Sequence, residues 1–371
     1  MTPPARYLPQ LDGLRGIAIL GVLLFHAGRF SLGWTGIVLF FVLSGFLITG
    51  ILLEGKEHAA YFRNFYARRA LRIFPAYYFV LGLTWWIKRD FTVSGLETGV
   101  ESAVPEWTYF LLYVQNYWMG EHWFRTPLSR FLGFTWTLAV EEQFYLVWPL
   151  LVYFLPARAL LLLCAALVAA APLLRMWILG ASDNPMLTLA SLPSHLDSLA
   201  TGAAICLISR DARLRIWLSR RAGAALLAAA GIPLAWLVAA TGLAAYGLNA
   251  RLQWMHVPGN AWFLTLISLV FGAVLILALA GTPRLAPALA WGPLRALGKI
   301  SYGVYLYHTL AYFLVSTAYK VSVSLPFTGS RTGDWEMLAV HAAQMTLAVA
   351  MAAVSYRYLE RPLLDLKERF R

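Results

Sequence analysis

Ten apolar runs, each 17 to 21 residues long, divide this chain: residues 14–30, 34–54, 73–89, 136–155, 158–174, 190–208, 223–241, 260–280, 299–319 and 337–357. A helix needs roughly 20 apolar residues to cross a bilayer. Backbone groups inside hydrocarbon must also be satisfied within the segment, so runs of this kind fold as helices. The expected fold is therefore all-α, a polytopic membrane protein of about ten transmembrane helices. An aromatic run from Trp107 to Trp118 is too short to cross and reads as interfacial or re-entrant. With 60% hydrophobic and 13% charged residues, the chain carries about half the charge of a soluble domain. No Gly/Ser linker or repeat interrupts it, so residues 1–371 read as a single transmembrane domain.

The net charge of +12 does not indicate a nucleic-acid partner, because the basic residues sit in short loops between apolar runs. With the N-terminus in the cytoplasm, the inner segments hold 21 of the 30 Lys and Arg residues. Both termini are therefore expected inside, with outer segments at 90–135, 175–189, 242–259 and 320–336. Cys164 and Cys206 lie within apolar segments without metal-ligand spacing, so neither a disulfide nor a metal is expected.

Against this background a few polar residues stand out. The first run carries Asp12, Arg15 and His26. Eleven residues separate Arg15 from His26, a step that returns to nearly the same helical face roughly 16 Å further along. Ionisable groups inside a membrane are costly and point to function, although a snorkelling Arg and a hydrogen-bonded His would also account for the pair. The second run contains Ser44 between Gly36 and Gly45, glycines spaced for close helix packing. Arg68, Arg69 and Arg72 follow, then Pro75, which is expected to limit or kink the helix. Arg69 and Arg72 share a face, and paired guanidiniums suit a phosphate, while anionic lipid or positive-inside retention explains such clusters equally well.

Glu141, Glu142 and Tyr145 lie in the fourth run. The carboxylates fall about 9 Å inside its outer end and His26 about 6 Å inside the outer end of the first run, so they match in depth. Only one of the two adjacent carboxylates can face a common lumen squarely. His195 and Asp197 suit an interfacial role as well as a functional one, and His308, beside Tyr305 and Tyr307, suits a helix clamp as well as catalysis.

Together these stretches resemble the acyltransferase-3 family of bacterial integral-membrane O-acyltransferases of glycans. The resemblance rests on LDGLRGIAILGVLLFH ending at His26, FFVLSGF (40–46), RRALRIFP (68–75), WTLAVEEQFYLVWP (136–149), ISYGVYLYH (300–308) and ERP (360–362). These motifs run over nearly the whole chain, in the family's order. Thr309 follows His308 where many members have a nearby Pro. The chain looks like the stand-alone form, without an appended extracellular hydrolase-like domain.

The resemblance implies transfer of an acetyl or other short acyl group from cytoplasmic acyl-CoA, usually acetyl-CoA, to a carbohydrate hydroxyl. The acceptor would lie on the periplasmic side of the bacterial inner membrane, as a lipid-linked or envelope glycan. It assigns donor binding to Arg15, Arg69 and Arg72, with Arg68 beside them. His26 would be the general base or a nucleophile forming an acyl-imidazole, with Glu142 or Glu141 orienting it or holding the acceptor. Ser44, Tyr145, Tyr307 and His308 are candidate substrate or oxyanion contacts. Asp12 lies about 21 Å below His26 by helical rise and is expected to clamp Arg15 or the basic cluster. A transporter or flippase of a glycan or lipid-linked intermediate, without covalent chemistry, is the alternative that hydropathy leaves open.

Overall fold

A computed structural model describes residues 8–90, 105–122, 127–211, 223–241, 261–319 and 334–367. Most of the expected basic cluster Arg210–Arg221, all of the outer segment 242–259 and most of the outer segment 320–336 lie outside them. No strand occurs among the described residues.

Ten helices of 15 residues or more each overlap one apolar run: α1 (Pro9–His26), α2 (Gly36–Gly55), α3 (Tyr61–Asp90), α4 (Trp136–Phe154), α5 (Ala157–Ser182), α6 (Leu196–Arg210), α7 (Gly223–Thr241), α8 (Phe263–Leu279), α9 (Ser301–Ala318) and α10 (Asp334–Ser355). By length and composition alone, three stretches among the described residues suffice to cross a bilayer: Ser31–Gly55, Ala157–Ser182 and Trp335–Asp365. The aromatic run forms two short helices, Glu106–Leu111 and Gln115–His122, broken around Tyr113, whose φ is +54°.

Three boundaries differ from the sequence reading. The first apolar run extends to residue 30, but α1 stops at His26. Gly28 adopts φ +68°, and the Gly28 and Arg29 amides fold back onto the Phe25 and Leu24 carbonyls. A left-handed glycine with returning amides is a helix-terminating device. His26 is therefore the last residue of its helix, not one turn inside it. The helix α3 runs on through Pro75 instead of ending there. Membrane helices tolerate proline where neighbours supply polar partners, and Tyr302 Oη donates to the nearby Ile73 carbonyl at 2.7 Å. The last apolar run stops at residue 357, but the helical chain continues past it. After α10 a π-helical turn, Tyr356–Glu360, leads into a further helix, Arg361–Asp365, in which Pro362 takes an early position that needs no N–H bond.

Small residues set the helix crossings. The helices α2 and α6 meet closely, and a Cβ built on Gly45 would lie 1.9 Å from the Leu199 carbonyl oxygen. Gly202 faces the Val42 carbonyl in the same way. The glycines of α1 serve another partner: Gly13 abuts Leu289 and Gly16 abuts Leu294, while Gly298 presses on Asp12 O. Close backbone approach through small residues is the usual route to helix association without a hydrophobic driving force.

Polar clamps complete the bundle. Arg175, 1% exposed, ion-pairs with the fully buried Asp197, donates to the Ala261 carbonyl, and reaches Ser194 O and Thr265 Oγ1, each at 3.0 Å. Asp197 is thus a buried counter-ion joining α5, α6 and α8, not an interfacial residue. His195 is also buried: its Nε2 lies 2.7 Å from the Leu189 carbonyl, and its ring stacks on Trp136. Lys56 Nζ donates to the Val152 and Leu155 carbonyls at 2.7 and 3.0 Å, capping α4. Arg210 reaches the Gly50 carbonyl and Glu54, both at 2.9 Å. The C-terminal ends of α2, α4 and α6 therefore share one face.

Gly45→Val should lower the unfolding temperature of the purified protein in detergent, because overpacking costs about 1–3 kcal/mol; an unchanged melting curve would contradict the packing described. Asp197→Ala should be worse, at about 3–5 kcal/mol, because it strands a buried guanidinium. The same melting assay checks it, and wild-type stability would show the pair to be dispensable.

Candidate active site

Five helices, α1, α2, α3, α4 and α9, enclose a cavity of about 120 Å³. Its lining repeats the helical period: Ile37, Phe40, Phe41 and Ser44 on α2; Arg69, Arg72 and Ile73 on α3; Thr137, Leu138, Glu141 and Tyr145 on α4; Ser301, Tyr302 and Tyr305 on α9. Arg15 completes it from α1. Spacings of three and four residues explain why these side chains, and not their sequence neighbours, converge. Arg68 and Glu142, each one residue from a lining residue, are absent from the wall. Of the adjacent carboxylates, Glu141 is the one that faces the cavity.

Inside, the polar groups form a chain. Tyr145 Oη donates to Ser44 Oγ at 3.1 Å, and Ser44 Oγ donates to Glu141 Oε1 at 2.5 Å. The Arg69 guanidinium stands 4.9 Å from the centre of the Tyr145 ring. Each of the other two arginines has a carboxylate partner outside the lining: Arg15 Nη1 is 3.6 Å from Asp12 Oδ1, and Arg72 Nη1 is 3.7 Å from Glu360 Oε2. Both separations exceed the roughly 2.7–2.9 Å of a tight charge-assisted bond. Three guanidiniums and one carboxylate line the same space, a charge arrangement that suits a multiply charged anion.

His26 lies outside this lining. Its Nδ1 is 2.9 Å from the Val22 carbonyl. A carbonyl can only accept, so Nδ1 carries the hydrogen and Nε2 of the neutral ring is left basic. The group on Nδ1 is thus a backbone carbonyl one turn back, where Glu142 or Glu141 had been expected. Glu141 instead engages Ser44, and Glu142 Oε1 is buried with no hydrogen-bond partner among the described residues.

The His26 ring meets His308 edge-on, with centroids 4.6 Å apart. His308, fully buried, has the same arrangement, with Nδ1 2.6 Å from the Tyr305 carbonyl. Tyr305 links the histidines to the cavity: it lines the wall, donates to the Phe134 carbonyl at 2.8 Å, and lies 2.7 Å from Thr137 Oγ1. Its ring centroid is 5.6 Å from that of His308. Ring contacts therefore run from the cavity wall at Tyr305 through His308 to His26.

Tyr307, adjacent to His308, turns away and donates to Ser355 Oγ at 3.0 Å, so it is not part of the wall. The sequence reading gave no role to Tyr302, Thr137 and Glu360. Tyr302 and Tyr305 were detectable as an i, i+3 pair leading to His308. Glu360 was not, because a π-helical turn shifts its face.

A family model described as an acyltransferase domain matches residues 8–356 of the chain. A protein of Bacillus subtilis named a putative peptidoglycan O-acetyltransferase, YrhL, is 29% identical, the alignment covering 96% of this chain and 55% of that protein. O-acetyltransferase OatA of Staphylococcus aureus is 27% identical over 96% of this chain and 57% of its own length. Peptidoglycan O-acetyltransferase OatA of Listeria monocytogenes is 26% identical, with coverage of 96% and 56%. The chain thus spans little more than half the length of these relatives. No solved structure matches.

Proposed function

The chain belongs to the acyltransferase-3 family, and from that premise we propose that it is a membrane O-acetyltransferase using cytoplasmic acetyl-CoA, or another short acyl-CoA, to acylate a carbohydrate hydroxyl on the outer side of the bacterial cytoplasmic membrane. Three relatives named for O-acetylation, two of them for peptidoglycan, favour an envelope glycan as acceptor, with peptidoglycan first. Ten crossings with both termini inside fit the ten long helices. The shared face of Lys56, Arg210 and the ends of α2, α4 and α6 supports that sidedness.

The observation that carries this reading is the convergence of Arg15, Arg69 and Arg72 on one cavity. Phosphates of a nucleotide-bearing donor suit guanidinium forks held at fixed orientations. The acyl-bearing arm would then extend past Tyr305 toward the histidine pair, over a distance like the roughly 16 Å that α1 covers between Arg15 and His26. There His26 Nε2 takes the proton of the acceptor hydroxyl as its oxygen attacks the thioester carbonyl carbon. Collapse of the tetrahedral adduct breaks the C–S bond, and the imidazolium returns its proton to the departing thiolate. Val22, through its carbonyl, does the orienting that a carboxylate performs in a catalytic triad. Ser44 and Tyr145, bonded to each other and to Glu141, are better placed to hold the donor than to stabilise charge near His26.

His26→Ala should abolish acetyl transfer to a membrane glycan while the purified protein still melts cooperatively and binds CoA. Near-normal transfer would overturn the assignment of the base. Replacing Arg69 and Arg72 together by Ala should weaken acetyl-CoA binding at least about tenfold in a direct titration, given about 1.5–3 kcal/mol for each bond to a charged group. Acceptor affinity should change far less, and unchanged donor affinity would return both arginines to a purely topological role.

A further inference from the structure

The cavity's cation at Arg72 is held from behind by a carboxylate that has no other evident task. Glu360 is 3% exposed, and its Oε2 lies 3.7 Å from Arg72 Nη1. Three features place it there. The π-helical turn Tyr356–Glu360 widens the chain's path at the end of α10 and re-aims the side chain inward. Gly303 leaves the space, since a Cβ on that residue would stand 3.1 Å from Glu360 Oε1. Ser355 Oγ, itself receiving the Tyr307 hydroxyl at 3.0 Å, lies 3.5 Å from the same oxygen. On the other side, the Arg72 guanidinium stands 5.8 Å from the centre of the Tyr302 ring. Arg72 is thus flanked by a charge and a ring, while Glu360 itself does not line the cavity.

We infer that Glu360 is a positioning residue for the donor: it fixes the Arg72 guanidinium in the cavity wall, oriented for a phosphate of the acyl-CoA, and so sets donor affinity without touching donor or acceptor. The Arg72 side chain is 31% exposed, so removing the carboxylate of Glu360 chiefly frees the guanidinium to move. The inference rests on the donor reading above.

The test is a titration of acetyl-CoA onto the purified full chain in detergent, with steady-state kinetics alongside. Glu360→Gln should weaken binding and raise KM for acetyl-CoA about five- to thirtyfold, while kcat and the acceptor KM stay within about twofold. Glu360→Asp keeps the charge but withdraws it by one methylene. It should fall between wild type and Gln, and it carries the test if the Gln variant does not fold. In an Arg72→Ala background, Glu360→Gln should add nothing, since a residue acting only through Arg72 is not additive with its loss. Wild-type donor affinity in Glu360→Gln beside a weakened Arg72→Ala would overturn this inference alone. So would an equal loss from Glu360→Gln with or without Arg72, which marks a merely structural role. Wild-type donor affinity in Arg72→Ala would overturn the donor reading and this inference together.

Discussion

A guanidinium set among apolar helices must be given counter-charge, a ring or a ligand, because an isolated cation there is expensive. That requirement organises this bundle. Arg175 is met completely, by Asp197, two backbone carbonyls and Thr265, and it contributes a closed joint among α5, α6 and α8. Arg15, Arg69 and Arg72 are met incompletely. Arg15 has one loose carboxylate, Arg69 an aromatic face and Arg72 both, and all three line the same cavity. The contrast between a saturated arginine and three partly committed ones sets a structural clamp apart from the proposed donor site within one molecule.

The chemistry at the other end of the path depends on geometry that costs little. A helix-terminal imidazole whose Nδ1 faces the carbonyl one turn earlier needs no dedicated carboxylate to choose its tautomer. His308 repeats the arrangement on α9, and the two rings meet edge-on. Tyr305 then joins them to the cavity wall. Under the proposed function, donor grip and proton transfer fall at different ends of α1, with the helix itself as the spacer.

Much of this was legible in the chain. Each long helix among the described residues overlaps an apolar run, because such a run has no other way to satisfy its backbone in lipid, while three stretches there suffice by length and composition to cross a bilayer. The three-residue step from Arg69 to Arg72 and the position of Arg15 pointed to a common cation site, since helical spacing is fixed by backbone geometry. What stayed hidden depended on local departures from that geometry or on long-range partners. Gly28 ends α1 earlier than hydropathy suggests, and it leaves His26 at a terminus. A π-helical turn rotates Glu360 onto Arg72 against the period that a sequence reading assumes. Arg175 and Asp197 come from separate helices, and neither residue names its partner. Glu142 or Glu141 was expected to orient His26 or to hold the acceptor; the Val22 carbonyl lies at Nδ1 and Glu141 engages Ser44, because depth along two helices does not say which way each one faces.

The central claim is that one cavity holds the donor's phosphates while the reacting carbonyl reaches the histidine pair. A structure of the protein with acetyl-CoA, or with a non-hydrolysable analogue, tests it most directly. The account predicts phosphate density against Arg15, Arg69 and Arg72, with the acyl carbonyl beyond Tyr305 and within reach of His26 Nε2. Phosphates seated elsewhere on the molecule, or an acyl group that ends at Glu141 and never approaches His26, would contradict it.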